Sequence, residues 1–308
     1  MAIPNHIRHL ERARIDTGRW DDCVRQSPNG FLYAQSFYLD GIGDWTALVA
    51  GDYEWILPLP TRMKYGIPYN YIPPFTGQLG IVGKELPDTA GVNQFITQIP
   101  RRIRLTDLLM NELNPSPSLP DLRVSPRTNY ILALEKDYPT LRERYTADAK
   151  KNLRRTERAG LSVKENIPMK TVLQLYRSAY GAKNRHIGEN DYQNMERLGQ
   201  ACMERQLGFT LGITDPAGDI LAAAFFGKDN KRIYYIVGAP TREGRQQNAT
   251  HSLIDEVIRQ YAGSGLTLDF EGSDIPSVAD FYRKFSPETT HYDLVRINKL
   301  PRWIKWLV

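Results

Sequence analysis

The stretch that most constrains this chain is residues 231–273, KRIYYIVGAPTREGRQQNATHSLIDEVIRQYAGSGLTLDFEGS. It reads as a β-strand (232–237), a loop bearing Gly and Arg, an amphipathic helix (249–262) and a second strand (266–270). Leu253, Ile254, Val257, Ile258 and Tyr261 recur at helical spacing and fall on one face. The loop matters for chemistry. A helix N-terminus carries unpaired N–H groups and a partial positive charge, and Arg242 and Arg245 beside Gly238 and Gly244 add cationic donors and backbone freedom. The combination suits a phosphate.

Upstream of this unit, 208–214 and 220–227 alternate around the turn Asp215-Pro-Ala-Gly218 and predict a hairpin beside the strand 232–237. Periodicity predicts helices over 169–180 and 191–206, with GAKNRHIGEN between them as a flexible cover containing Arg185 and His186. The segment 146–160, TADAKKNLRRTERAG, predicts a helix ended by Gly160, followed by a short strand (161–164). Lys150, Lys151, Arg154, Arg155 and Arg158 crowd one side of that helix against only Asp148 and Glu157. Two readings are open: a solvated face, or an anion-binding face on which Lys151 and Arg155 meet a phosphate-bearing substrate.

The first half is less regular. A polar helix is expected over 6–26, then an aromatic entry segment (31–38), a hairpin of 45–50 and 55–61, and a helix over 88–102 before a strand at 105–110. Residues 65–75 mix aromatics with prolines, which predicts a strand breaking into a loop at Pro73-Pro74. That loop either lines a pocket, with Tyr71 touching substrate, or is aromatic packing under a rigid turn. Residues 114–126 hold four prolines and read as a linker. At 308 residues two domains are expected, 1–135 and 136–308.

The net charge of +5 hints at anionic ligands without requiring nucleic acid. Cys23 and Cys202 show neither disulfide-framework nor zinc spacing, so no metal is expected and a reduced cytoplasm fits. No run approaches the roughly 20 apolar residues of a membrane span.

The order helix, helix, three antiparallel strands, loop, helix, strand, helix, strand resembles acyl-CoA-dependent N-acyltransferases of the GNAT superfamily. Residues 238–249, GAPTREGRQQNA, are similar to that superfamily's pyrophosphate loop, although in a different register. LDFEGS (268–273), DFYRKFSP (280–287) and HYDLVRINKLP (291–301) look like the end of the Fem-type transferases and their GNAT-like bacterial relatives. KKNLRRTERAGLSVKE resembles the basic helix and strand that open the second domain there.

The resemblance implies an α/β fold of two tandem GNAT-like domains, the first degenerate, with acyl transfer from a thioester or ester to an amine in the second. Acetyl-CoA or another acyl-CoA would be the donor, held by Val237, Gly238, Arg242, Gly244, Arg245, Asn248 and Ala249. Backbone N–H groups where the strand splays open at Tyr235–Gly238 would polarise the acyl carbonyl. Glu271 and Asp269, taken to share a strand face, are base candidates, and Tyr282 on the next helix is the acid candidate. Each has a structural alternative: a strand-end carboxylate paired with a cation, and a buried aromatic beside Phe281 and Phe285. His251 is expected to touch phosphate or cap its helix. The acceptor, a small molecule or a peptidoglycan precursor, is expected in a cleft between the domains, drawing on 69–75 and 183–190. Two alternatives stand: a Fem-like aminoacyltransferase using aminoacyl-tRNA, and a binding module that kept the fold and lost the chemistry. No heptad run for the coiled-coil arm of some Fem enzymes is present.

Overall fold

The computed structural model describes residues 3–4, 6–272 and 274–300. Ser273 of the LDFEGS motif, Pro301 of the last motif, and Met1, Ala2 and Asn5 lie outside the described residues. The chain divides into two compact units, 1–127 with 291–308, and 128–290.

Unit 1 opens with a correction. The expected polar helix over 6–26 is a strand, β1 (Ile7–Glu11), a 3-10 turn, and a shorter helix, α1 (Thr17–Gln26). IRHLE buries alternate residues only partly and pairs with residues 46–50, so its charges decorate a sheet edge. Asp16 caps α1 by accepting the Arg19 amide, which fixes the helix start at Thr17 rather than at residue 6. Next come α2 (Ser36–Ile42), β2 (Trp45–Ala50) and β3 (Trp55–Lys64), the last two as the expected hairpin. Then follow β4 (Ile67–Asn70), β5 (Val82–Gly83), α3 (Thr89–Thr97) and β6 (Leu105–Leu109). Helix α3 stops short of the expected 102, as the chain turns at Gln98 ahead of Pro100.

The 114–126 linker also needs correction, because β7 (Leu122–Ala133) starts inside it and carries the chain into unit 2. There α4 (Tyr138–Glu143) and α5 (Ala147–Arg158) precede β8 (Ser162–Glu165), α6 (Met169–Tyr180) and α7 (Glu189–Glu204). Then come β9 (Gly208–Thr214), β10 (Ile220–Lys228), β11 (Arg232–Pro240), α8 (Arg242–Gln246), α9 (Ala249–Tyr261), β12 (Thr267–Asp269) and α10 (Pro276–Arg283). The final strand, β13 (Glu288–Asn298), does not close the second domain as expected. From His291 onward it belongs to unit 1, where it pairs with β6.

The two units repeat one plan: strand, two helices, three antiparallel strands, helix, parallel strand. In unit 1, β1-β2-β3-β4 is the antiparallel run, β4 meets β6 in parallel, and β13 completes the sheet. In unit 2, β8-β9-β10-β11 is the run, β11 meets β12 in parallel, and β7 completes it. Each sheet therefore takes its last strand from across the chain: unit 2 from the strand that follows β6, unit 1 from the end.

The crossover helix α9 seals one face of the unit 2 sheet. Leu253, Ile254, Val257 and Ile258 pack with Leu132, Leu211, Phe226, Ile233 and Leu268 in one buried cluster. Burying each such side chain contributes about 1.5–3 kcal/mol, which is why the periodic face of this segment is so plain in the sequence. Helices α6 and α7 pack against β9, β10 and β11.

Candidate active site at the split of the second sheet

Strands β11 and β12 stay paired only from Arg232↔Thr267 to Tyr234↔Asp269. Strand β11 then runs on to Pro240, held by β10 alone, while β12 ends. A bulge between Phe225 and Phe226 leaves Ile236 without an opposite residue and bends β11 away. The edge of β11 between Tyr235 and Gly238 therefore has no strand opposite it among the described residues.

Aromatic rings line this split. Phe209 and Phe226 stack at 5.2 Å, Phe226 and Tyr235 at 5.3 Å, and Tyr282 meets Tyr235 edge-on at 6.4 Å and Phe270 at 4.9 Å. Interlocked rings of this kind hold one another in place without loss of conformational freedom at each turnover. The Tyr235 ring folds back along its own strand: a Cβ on Gly238 would lie 2.7 Å from the Tyr235 hydroxyl and 2.6 Å from the Ala224 Cβ. Gly238 thus makes room for a phenol. Tyr176 and Tyr180, one turn apart on α6 with rings at 5.4 Å, lie near enough to raise the Tyr235 pKa further after burial has raised it. Sequence reasoning misses these two tyrosines; their i, i+4 spacing on a predicted helix is the available signal.

The expected carboxylates separate. Asp269 is 2 % exposed and ion-pairs with Arg232 at 2.8 Å, its other oxygen accepting the Glu271 amide at 2.9 Å. Glu271 does not share its strand face, since the strand has ended and Glu271 takes a left-handed conformation at φ 63. That turn presses on β7: a Cβ at Gly272 would lie 2.2 Å from the Thr128 carbonyl oxygen and 3.2 Å from the Asn129 Cα. Asn129 itself is 1 % exposed, and neither its amide oxygen nor its nitrogen has a partner among the described residues. Glu271 is half-buried beside Tyr282. Burial pushes the Tyr282 phenol well above its ordinary range, and Tyr235, Tyr180, Glu271 and Asp269 push it further. Tyr282 is therefore a proton donor at neutral pH, while an ionised Glu271 carboxylate is acceptor-only.

The loop expected before α9 is partly a helix. Thr241 caps α8 by accepting the Gly244 amide at 2.9 Å, and the amides of Arg245, Gln247, Asn248 and His251 bond to carbonyls within the segment. Gly244 is buried because a Cβ there would lie 1.9 Å from the Leu221 oxygen, so it serves packing. Asn248 sits at φ 61 and Ala249 is fully buried. The amides of Gly244, Arg245, Gln247, Asn248 and His251 are thus engaged within the segment. Arg242 and Arg245 are exposed and make no ion pair among the described residues. Val237 is buried opposite Phe225. His251 neither caps nor meets solvent: it packs edge-on to Phe281 at 4.9 Å with Nε2 3.3 Å from the Asn152 amide. Burial, aided by Lys284, lowers its pKa to about 4.

Helix α5 buries Ala149, Asn152, Leu153 and Thr156 and exposes Lys151, Arg154, Arg155 and Arg158. Its two acids are engaged elsewhere, Asp148 with Lys284 at 2.6 Å and Glu157 with Arg142 at 2.7 Å. Those four cations have no ion pair among the described residues. Arg185 and His186 are exposed in the turns between α6 and α7, and Arg185 donates to the Ala182 carbonyl at 3.3 Å. Tyr71 belongs to unit 1, with the Arg62 guanidinium 4.1 Å from its ring centre. No group of three metal-ligating side chains occurs among the described residues.

The chain matches the solved structure of FemX with a TM-score of 0.67 at 13% identity, over 98% of this chain and 99% of that one. The fold is a tandem GNAT-like fold of the Fem type. The L-PGS structure from Bacillus licheniformis matches with a TM-score of 0.56 at 13% identity, covering 97% of this chain and 96% of that one. A tandem GNAT protein from the clavulanic acid biosynthesis pathway matches with a TM-score of 0.51 at 12% identity, covering 96% and 99%. No family model matches the sequence, and no curated protein does. No helix among the described residues is long and apolar enough to cross a membrane.

Proposed function

We propose that unit 2 is an amine N-acyltransferase and that its acyl group is an aminoacyl group delivered as an ester on tRNA. The observation that carries the reaction is the split between β11 and β12, which leaves the β11 edge at Tyr235–Gly238 without a partner strand, with Tyr282 against the Tyr235 ring and beside Glu271. An acceptor amine attacks the ester carbonyl, a C–N bond forms and the acyl C–O bond breaks. The N–H groups on the split edge of β11 bond the carbonyl oxygen as it gains charge. Glu271 takes the proton of the amine, and Tyr282 gives one to the departing ribose oxygen.

The donor reading rests on two features. The segment from α8 to the start of α9 engages five of its amides internally, and α5 leaves four cations without an ion pair among the described residues, a surface suited to a polyphosphate backbone. The structural likeness to FemX, which has the greatest TM-score of the three structures described above, supports the same reading, with a peptidoglycan-precursor amine as acceptor. A second reading, transfer from acyl-CoA, is favoured by the exposed Arg242 and Arg245 at the start of the crossover. One set of assays separates them. Purified protein is expected to transfer a labelled amino acid from aminoacyl-tRNA to a nucleotide-linked muropeptide. Charge reversal of Lys151 and Arg155 to Glu should then raise the donor KM and reduce its salt dependence. Transfer from acyl-CoA instead, lost on Arg242→Ala with Arg245→Ala, would replace the first reading by the second. Transfer from neither, with both ligands failing to raise the Tm, would leave a binding module.

A further inference from the structure

The hairpin of β3 and β4 in unit 1 does something its core cannot explain. Met63 is 64% exposed, Tyr65 93% and Ile67 44%, three of the seven large apolar side chains most exposed on the described chain, all within five residues. Lys64 lies among them, its Nζ 5.9 Å from the Tyr65 ring centre. Singly exposed apolar residues are ordinary, but a cluster at one tip marks a contact surface.

The hairpin is firmly held at its base. Asn70 is 1% exposed, accepts from the Thr61 hydroxyl at 3.2 Å and donates to the Thr106 hydroxyl at 3.4 Å. Four cross-strand pairs, Thr61↔Asn70 to Lys64↔Ile67, carry the hairpin outward to the turn at Tyr65-Gly66. Gly66 at φ 75 allows the tight reversal. Below the tip, Arg62 lies against Tyr71, and Tyr69 and Tyr71 are 6.2 Å apart. Within the hairpin itself, from Thr61 to Tyr71, the sequence has no Asp or Glu, while Arg62 and Lys64 are cationic.

Apolar side chains at an exposed tip, tyrosines behind them and Lys64 among them, in a hairpin whose own sequence has no acidic residue, are the arrangement that an anionic bilayer surface complements. The apolar tips enter the acyl boundary, tyrosines sit at headgroup level, and Lys and Arg extend to lipid phosphates. We infer that the 62–71 hairpin is a wedge that docks unit 1 on the surface of an anionic phospholipid membrane. The attachment is peripheral and reversible, because three side chains bury far less apolar area than a spanning helix. The inference stands whether or not unit 2 transfers acyl groups.

The test uses the full chain and vesicles of phosphatidylcholine with and without a quarter phosphatidylglycerol. The wild-type protein should float with phosphatidylglycerol vesicles, bind zwitterionic vesicles far less, and release as salt rises. The variant carrying Met63→Ser, Tyr65→Ser and Ile67→Ser alters only exposed side chains, so its Tm should hold while vesicle binding falls on the order of tenfold or more. Lys64→Glu should weaken binding on the order of tenfold through charge alone. The Tyr65→Trp variant carries an indole reporter at the tip, and its emission, after subtraction of the wild-type spectrum, should shift to the blue on adding anionic vesicles. The inference is overturned if wild-type protein ignores both vesicles. It is also overturned if the triple variant binds as well as wild type, or if the emission of the Tyr65→Trp variant stays unshifted while the protein floats. Self-association that the triple variant abolishes, without lipid binding, would overturn it too and assign the tip to a second copy of the chain.

Discussion

The two units carry the same parallel pair to opposite ends. In unit 2, β11 and β12 part after Tyr234 and the opening is lined by rings, backbone groups and Glu271. In unit 1, β4 and β6 touch at Asn70↔Thr106 alone, so the strands diverge even sooner. The space between them is nevertheless filled. Tyr71, Ile72 and Pro73 turn in from the end of β4 and, with Pro60 and Leu108, leave a cavity of about 10 Å³, room for roughly one water. Prolines that cannot continue a ladder turn the chain into the first opening, while a bulge bends β11 away at the second. Splitting a sheet is therefore a property of the fold, and chemistry depends on what the chain places in the split.

Carboxylates at equivalent strands give the sharpest way to break this comparison. Asp269 on β12 is buried against Arg232, whereas Asp107 on β6 makes a two-pronged bond to Arg296 with more solvent contact, 18% and 38% exposed. Asp269→Ala strands a buried guanidinium and should cost about 3–5 kcal/mol in urea denaturation. Asp107→Ala should cost about 1 kcal/mol or less. Similar losses for both would mean that Asp269 is not the strut of its sheet.

The next effect is a pH dependence confined to the second core. His251 has a folded pKa near 4 against an unfolded 6.5, so the unfolded chain binds the proton first as pH falls. The stabilisation is complete above pH 6.5 and is lost progressively down to pH 4, an effect of about 3 kcal/mol. A urea midpoint series over that range should show the decline in wild type and a flatter profile in His251→Leu. Two equally steep profiles would assign the decline to other groups.

Tyr282→Phe should lower kcat about a hundredfold in the transfer assay, with the acceptor KM little changed, since one hydroxyl is removed from a ring that stays packed. Tyr71→Phe in the filled opening should leave kcat unchanged. Equal effects would remove the distinction between an active and a filled split. Gly238→Ala, whose Cβ meets the Ala224 Cβ as well as the Tyr235 hydroxyl, should lower kcat several-fold with a Tm loss of a few degrees.

Much of unit 2 is legible in the sequence because its elements carry strong, consistent periods. The limits of α6 read from the sequence agree with the structure, as do those of β9, and α9 ends within a residue. Where the reading fails, local residues give a mixed signal. In β1, Arg8 and Glu11 look like a helix surface because a half-exposed edge strand carries charge as a helix does. The alternation of Asp269, Phe270 and Glu271 suggests a shared face, but the left-handed turn at Glu271 is set by contact with Thr128 and Asn129, far away in sequence. The α8 turn is hidden behind glycine and arginine, because the packing of Gly244 on Leu221 exists only in the fold. Asn129 carries no local sign at all, since its unspent hydrogen-bonding capacity exists only in the folded sheet.

The exchange of closing strands also sets a timetable. During synthesis the second unit can complete its sheet as soon as β12 emerges, because β7 is already made. The first unit must wait with the β6 edge open until residues 294–298 leave the ribosome, although it was begun first. A nascent chain thus finishes its later half before its earlier one, and an incomplete product stopped near residue 290 keeps an unsatisfied strand edge for quality-control proteins to find.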